Sequence, residues 1–422
     1  MNTGINSSAS FSFILPTRIE YGIGSHRKIP DFLKEVGVRR ILIITDPGVA
    51  NLSWFTQLKA LLTQRDYEVE VFSGVESNPK DRNVEEAAEV ARKVKADCLL
   101  AIGGGSPIDC AKVVSILAVY GGKPRDYEDP SRIGQHPLPL IAVPTTAGTG
   151  SEVTFGAVIT DTKDRFKFTV KSPLLAPKIA LLDPELTLSM PPSLTASTGM
   201  DALTHAIEAY TSSASEPLAD ACALYAAELL VSYLPRVVQQ GTDVEARSAV
   251  LLGSLLAGIA FSHSDVGAVH CIAEALGGMY DLPHGVCNAV CLPYVMEYCL
   301  ESNIIRYARL GQAMGVQLIL PTDTLISTGS MSGPHTEGFP EKTHGISETK
   351  ESIRRKAQAT AQLVKDLAQK VGLPDFRSFA VPESDFPLIA EKSAANGSNR
   401  DNIPILTKED YLQILKRLQG GG

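Results

Sequence analysis

The feature that most constrains this chain is a change of periodicity at Pro191–Pro192. Ahead of it, short β-branched runs alternate with amphipathic stretches. ILIIT (41–45), YEVEVFSG (67–74), CLLAIGG (98–104) and PLIAVPTT (139–146) read as strands, with helices expected at about 51–64, 83–95 and 107–119. Strand–helix alternation at this spacing predicts a parallel sheet covered on both faces. The runs 153–161 and 166–172, joined by TKDR, read as a hairpin appended to that sheet. Behind Pro192 the β-branched runs vanish. Helical patterns fill about 193–212, 217–235, 243–262, 267–278 and 285–300, and resume at 348–371. The stretch 316–347, rich in Gly, Pro, Ser and Thr, reads as an insertion or lid.

Two glycine-rich loops follow strands in the first half. In AIGGGSPIDCAK (101–112), Gly103, Gly104 and Gly105 allow close backbone approach to a ligand. Ser106 suits a helix N-cap, Pro107 the first helical position, and Asp109 lies three residues past that cap. A strand, a bare turn and a helix N-terminus together suit a pyrophosphate, although a tight turn without a ligand has the same sequence. In PTTAGTGSEVT (144–154), Thr145, Thr146 and Thr149 supply hydroxyls. Two such loops at the carboxyl ends of parallel strands mark the crevice where open α/β sheets bind nucleotides. Asp46, just past ILIIT, is placed either to accept from a ribose 2′-hydroxyl or to shape the turn DPG. In the first role it favours NAD over NADP.

The second half carries a different chemistry. Asp201 and His205 are four residues apart in a mostly apolar helical run, so they share one face. His270 lies in another helical pattern, and His284 opens the next one, between Pro283 and Gly285. Three imidazoles and one carboxylate make a site for Fe(II), with Zn or another first-row divalent ion as alternatives. Glu208 shares the face of Asp201 and reads as a support rather than a ligand. The architecture expected is therefore an α/β dinucleotide-binding domain with a parallel sheet over 1–190, then an all-α metal-binding, catalytic domain over 191–422.

Bulk properties narrow the partners. The formal net charge is −8 with no long basic run, which argues against nucleic acid. Seven scattered cysteines read as reduced core thiols. The N-terminus carries no secretory pattern, and the apolar run near 250–261 is too short to span a bilayer. The expectation is a cytoplasmic protein with no membrane partner.

The segments GGGSPIDCAK, PTTAGTGSEVT, LDPELTLSMPPSLTASTGMDALTHAIEAY and GAVHCIAEALGGMYDLPHG resemble the iron-containing alcohol dehydrogenases. That metal-dependent group shares a fold with glycerol dehydrogenase and dehydroquinate synthase. The resemblance implies that Asp201, His205, His270 and His284 hold the metal. It implies that Gly104, Gly105, Ser106, Asp109, Thr145, Thr146 and Thr149 hold the dinucleotide, with Lys167 and Leu186 as further contacts. It also implies NAD-dependent hydride transfer between a small alcohol and its aldehyde or ketone. A homodimer or larger assembly is implied, with FSFILP and IEYG pairing between subunits.

The chain departs from the pattern where a second histidine commonly follows the one at 270 by four residues; here that residue is Glu274. The stretch FSHSDVG puts His263, Ser264 and Asp265 where F-x-N is common. Either His263 or Glu274 is expected to act beside His270 at the substrate end. The alternative, a lyase of the dehydroquinate synthase type, needs a Lys/Arg cluster near the metal, and the metal-bearing helices offer few basic residues.

Overall fold

The computed structural model describes residues 10–134, 136–316 and 349–420. The first half contains β1 (Arg18–Tyr21), α1 (Ile29–Val36), β2 (Arg40–Ile44), the single turn α2 (Pro47–Ala50) and α3 (Ser53–Gln64). It continues with β3 (Glu68–Phe72), α4 (Asp81–Lys93), β4 (Cys98–Gly103), α5 (Gly105–Tyr120), β5 (Leu140–Pro144), β6 (Gly156–Asp161), β7 (Phe166–Lys171) and β8 (Ile179–Leu182). Six strands form one sheet in the order β1-β8-β5-β4-β2-β3, and every pairing is parallel.

Alternation within the strands explains why both faces are covered. Leu42, Ile44, Leu99 and Ala101 point to a core shared with Val84, Ala87 and Ala88 of α4 and Ile108 of α5. Their neighbours Ile41, Ile43, Cys98 and Leu100 point the other way, onto Ile29 and Leu33 of α1 and Leu58 and Leu62 of α3. Such strands are buried on both sides and so read as continuous apolar runs.

The structure corrects two sequence expectations here, the placement of the hairpin and the cap of α5. The hairpin β6–β7 is a separate antiparallel sheet, with Gly156 opposite Lys171 and Asp161 opposite Phe166. It lies between α5 and the helical half. β1, from IEYG, is an edge strand of this sheet and pairs with β8 along one side, Arg18 to Ile179 and Tyr21 to Leu182. FSFILP forms no strand within this chain. Helix α5 begins at Gly105 with Gly104 as N-cap, so Ser106 and Pro107 lie inside its first turn.

The second half holds α6 (Pro192–Thr211), α7 (Pro217–Gln239), α8 (Val244–Ser264), α9 (Ala268–Tyr280), α10 (His284–Tyr298) and α11 (Leu300–Ala313). From Lys350 onward come α12 (Lys350–Lys370), α13 (Phe386–Ala395) and α14 (Lys408–Gly420). The lid expected at 316–347 lies, apart from Val316, outside the described residues. Helices α7 and α8 are long and apolar enough to cross a membrane by length and composition, contrary to the short run expected near 250–261. In this fold they pack on α6: Ala223, Ala226, Leu230 and Leu234 meet Val250, Leu251 and Leu255 in one helical core with Leu203 and Ile207.

Candidate metal and dinucleotide site

Helix α6 starts with Pro192 at its first turn, where a missing N–H costs nothing. Its small residues let neighbouring helices approach, and Asp201 and His205 are both buried one turn apart. His270 comes from α9, and His284 is the first residue of α10. One ligand atom from each of the four residues lies within 4.8 Å of the others. His205 Nε2 and His270 Nε2 are 3.0 Å apart, and His284 Nε2 is 3.8 Å from Asp201 Oδ1. Ligand nitrogens on a common cation, each at about 2.0–2.1 Å, stand about 3.0–3.4 Å apart, so the donor set fits a first-row divalent ion.

The support around the ligands is specific. Glu208 Oε1 accepts the Val269 N–H (2.7 Å), and Oε2 meets His270 Nδ1. This fixes the ring so that Nε2 faces the cluster, the usual carboxylate–histidine arrangement behind a metal ligand. Phe261 of α8 stacks on His205, centroids 4.4 Å apart. Burial pushes the His205 imidazole down to about 4, and burial followed by the charge of Lys167 pushes His284 well below its ordinary value. Both rings are thus neutral at pH 7, the state that coordinates metal. Burial also lowers His270, but the charge and hydrogen bond of Glu208 outweigh it and raise that ring.

Asn288 is a member of the cluster that the sequence reading missed. Its Nδ2 donates to Asp201 Oδ1 at 2.7 Å and lies 3.0 Å from His270 Nε2 and 3.1 Å from His284 Nε2. Three lone pairs converge on that point, as they would on a cation. Asn288 Oδ1 and the Nδ1 atoms of His205 and His284 are buried without a partner among the described residues. The available signal was spacing: Asn288 is four residues from His284 on α10.

The nucleotide loops meet at the carboxyl ends of β4 and β5. A Cβ on Gly105 would lie 2.7 Å from Thr149 Cγ2, so only glycine lets the threonine loop close on the start of α5. Thr146 lies against Gly104 in the same way, and the Thr145 N–H donates to the Gly103 carbonyl at 2.9 Å. Asp46 caps α2 by accepting the Val49 N–H and stands beside Gly103, at the switch between β2 and β4. Gly150, with φ +59°, rests on α8: a Cβ there would lie 2.6 Å from Gly258 Cα.

Four expected residues sit differently. Asp109 has both oxygens committed inside the protein, Oδ1 to the Ser151 hydroxyl (2.5 Å) and Oδ2 to the Val158 N–H (2.9 Å), so it ties α5 to the threonine loop and the hairpin. Leu186 is buried in the core beneath the sheet. Lys167 is buried on the metal side of the cleft, where Nζ donates to Asn78 Oδ1 at 2.8 Å. His263 leaves the set of catalytic candidates. Its ring stacks on Phe13, its Nδ1 donates to the Ile259 carbonyl, and its Nε2 meets the backbone of Ile14, so neither nitrogen is free for a substrate. Glu274, by contrast, borders a cavity between β7, α9 and α13.

Comparison with known proteins gives the same picture over most of the chain. Residues 16–184 match the family described as iron-containing alcohol dehydrogenase, and residues 195–328 match the C-terminal region of the Fe-containing alcohol dehydrogenase family. Alcohol dehydrogenase 4 of Saccharomyces cerevisiae (strain ATCC 204508 / S288c) is 39% identical over 97% of this chain and 99% of its own length. The NAD-dependent methanol dehydrogenase of Bacillus methanolicus is 32% identical over 96% of this chain and 99% of its own. The solved alcohol dehydrogenase from Oenococcus oeni superposes with a TM-score of 0.86 at 34% identity, covering 97% of this chain and 100% of that one. The dehydroquinate synthase-like alternative is not favoured by these relatives. This chain belongs to the iron-containing alcohol dehydrogenase family, oxidoreductases that use NAD and iron to interconvert alcohols with aldehydes or ketones.

Proposed function

We propose that Asp201, His205, His270 and His284 hold the divalent cation, and that the turn at Gly104–Gly105 with Thr145, Thr146 and Thr149 receives the pyrophosphate of NAD. The observation that carries this reading is the convergence of four ligand atoms from three helices within 4.8 Å, backed by Glu208. When bound, the cation supplies Lewis-acid polarisation of the substrate oxygen, and the nicotinamide supplies or accepts the hydride. The protein's part is position. Glu208 holds His270 in one orientation, Phe261 holds His205, and burial keeps both rings dry. Asp46 offers a carboxylate at the ribose end, which favours a 2′-hydroxyl over a 2′-phosphate. Lys167 is proposed as a contact from the hairpin, whereas Asp109 and Leu186 act through the loops and core they brace.

The natural division is 1–190 and 191–422, with substrate between the halves. The substrate proposed is a small alcohol, as the name of the methanol-oxidising relative suggests. A homodimer is proposed on the exposed apolar stretch containing Phe11, Ile14, Leu15, Tyr21 and Ile23. A reducing, cytoplasmic location fits seven free cysteines, six of them buried. The test is NADH formation by protein loaded anaerobically with Fe(II) or Zn, against a panel of short alcohols, with NADP in parallel. Metal-dependent turnover lost in His270→Ala supports the reading. Equal turnover without metal, or in His270→Ala, overturns it.

A further inference from the structure

We propose that Lys112 is a positioning residue for the dinucleotide: from inside the protein it fixes the threonine loop so that the Thr149 hydroxyl is aimed at the diphosphate. This deepens the proposed function and rests on it. Lys112 lies two turns after Gly105 on α5 and has no exposed surface. All three donors of its ammonium are used, and all on one segment: Ser151 Oγ at 2.9 Å, Thr154 Oγ1 at 2.8 Å and the Gly156 carbonyl at 2.7 Å. Asp109, one turn earlier on the same face, accepts from the Ser151 hydroxyl and from the Val158 N–H. Burial pushes the ammonium down to about 8, against the charges of Asp109 and Glu152, so it is a cation at pH 7. A buried charge costs more than an apolar side chain of similar shape. What the lysine adds for that cost is a three-point grip on residues 151–156.

The grip reaches the cleft through Ser151, whose N–H donates to Thr149 Oγ1 at 3.2 Å. A hydroxyl that accepts on one side keeps its own proton for the other, and nothing among the described residues accepts the proton of Thr149. Thr149 is half-buried and lies against Gly105, where a Cβ would stand 2.8 Å from its Oγ1. The first N–H groups of α5 open at the same place, since the first turn of a helix has no partners for them. One helix therefore builds both walls of the anion cradle. Its N-terminus supplies N–H groups directly, and its Asp109–Lys112 face supplies the threonine hydroxyl through Ser151. The part of the ligand that feels Lys112 is the diphosphate, not the adenine or its ribose.

The experiment titrates the Zn-loaded protein with ADP-ribose, which carries the diphosphate, and with adenosine, which does not, each by displacement of NADH fluorescence. ADP-ribose affinity should fall about 10- to 100-fold in Lys112→Met and about 3- to 10-fold in Ser151→Ala. Ser151→Ala leaves Asp109 and Lys112, 3.6 Å apart, to pair directly, so it decides the matter if Lys112→Met does not fold. Adenosine affinity and Zn affinity should stay within threefold in both variants, and KM for NAD should change more than kcat. A double-mutant cycle tests the route: in a Thr149→Val background, Ser151→Ala should cost nothing further. ADP-ribose affinity within threefold of the natural value in Ser151→Ala overturns the proposal, as does an equal loss for adenosine or full additivity in the cycle. Tight ADP-ribose binding by the natural protein, with insensitive variants, strikes this proposal alone. A natural protein that binds ADP-ribose no more tightly than adenosine strikes the pyrophosphate placement itself, and this proposal with it.

Discussion

Replacing Glu208 measures how much of the metal site is built behind its ligands. Glu208 is buried, accepts the Val269 N–H at 2.7 Å and meets His270 Nδ1. Alanine removes both acceptors. A buried N–H left without a partner costs about 1–3 kcal/mol, and the lost charge-assisted bond to the imidazole adds about 1.5–3 kcal/mol. The metal-free protein should therefore lose about 2.5–6 kcal/mol of unfolding free energy. Metal affinity should fall about 10- to 100-fold, because His270 loses the group that sets its orientation and basicity. Glutamine keeps one acceptor but no charge, so Glu208→Gln should preserve most of the stability and lose affinity near the lower bound. Chelator-competition titration of Zn or Fe(II) at pH 7 reads the affinity, and urea unfolding of the metal-free protein reads the stability. An alanine variant that binds metal within threefold of the natural protein would refute the argument.

Three further outcomes follow from other parts of the molecule. Burial pushes the Asp183 carboxyl up, but hydrogen bonds from His26 and from the backbone N–H groups of Glu185 and His26 outweigh it and hold it below the usual carboxylate range. A depressed folded-state value contributes stability above the unfolded value and loses it as pH falls through the folded one. Asp183→Asn should therefore be less stable than the natural protein at pH 7, with the gap closing below about pH 4 in denaturant titrations. Gly150→Ala should cost about 2–5 kcal/mol, since the residue has φ +59° and its Cβ would strike Gly258; a melting temperature within a degree of the natural one would contradict this. In the native, metal-loaded protein a small thiol reagent should label Cys222 and spare the six buried cysteines, of which Cys98, Cys287 and Cys299 are pushed up to about 12 by burial.

The central strands were legible because strands buried on both faces need unbroken apolar runs, as in Ile41–Ile44 and Cys98–Ile102. β8 has only the four residues IALL, and β1 alternates charged and apolar residues. Neither carries enough pattern to be told from a loop or an edge contact. The ligand set was legible because three histidines and an aspartate are rare in so apolar a region. Asn288 was not, since an amide becomes a cluster member only through the three-dimensional convergence of α6, α9 and α10. His263 misled for a related reason: its neighbour Phe261 faces the metal histidines, but two residues along a helix turns the ring to another face, onto Phe13.

The contact of Gly150 with Gly258 has a mechanical consequence. Two backbones meet there with no side chain between them, so there is no compressible layer to give way. Three residues along α8, Phe261 carries that stiffness to His205. A rotation of one half against the other that kept this contact would turn about it as a fulcrum. The far rim of the cleft then sweeps the longest arc, while the atoms beside the fulcrum hardly move. Such a motion would open the rim while the spacing between the nucleotide loop and the metal ligands stayed nearly constant.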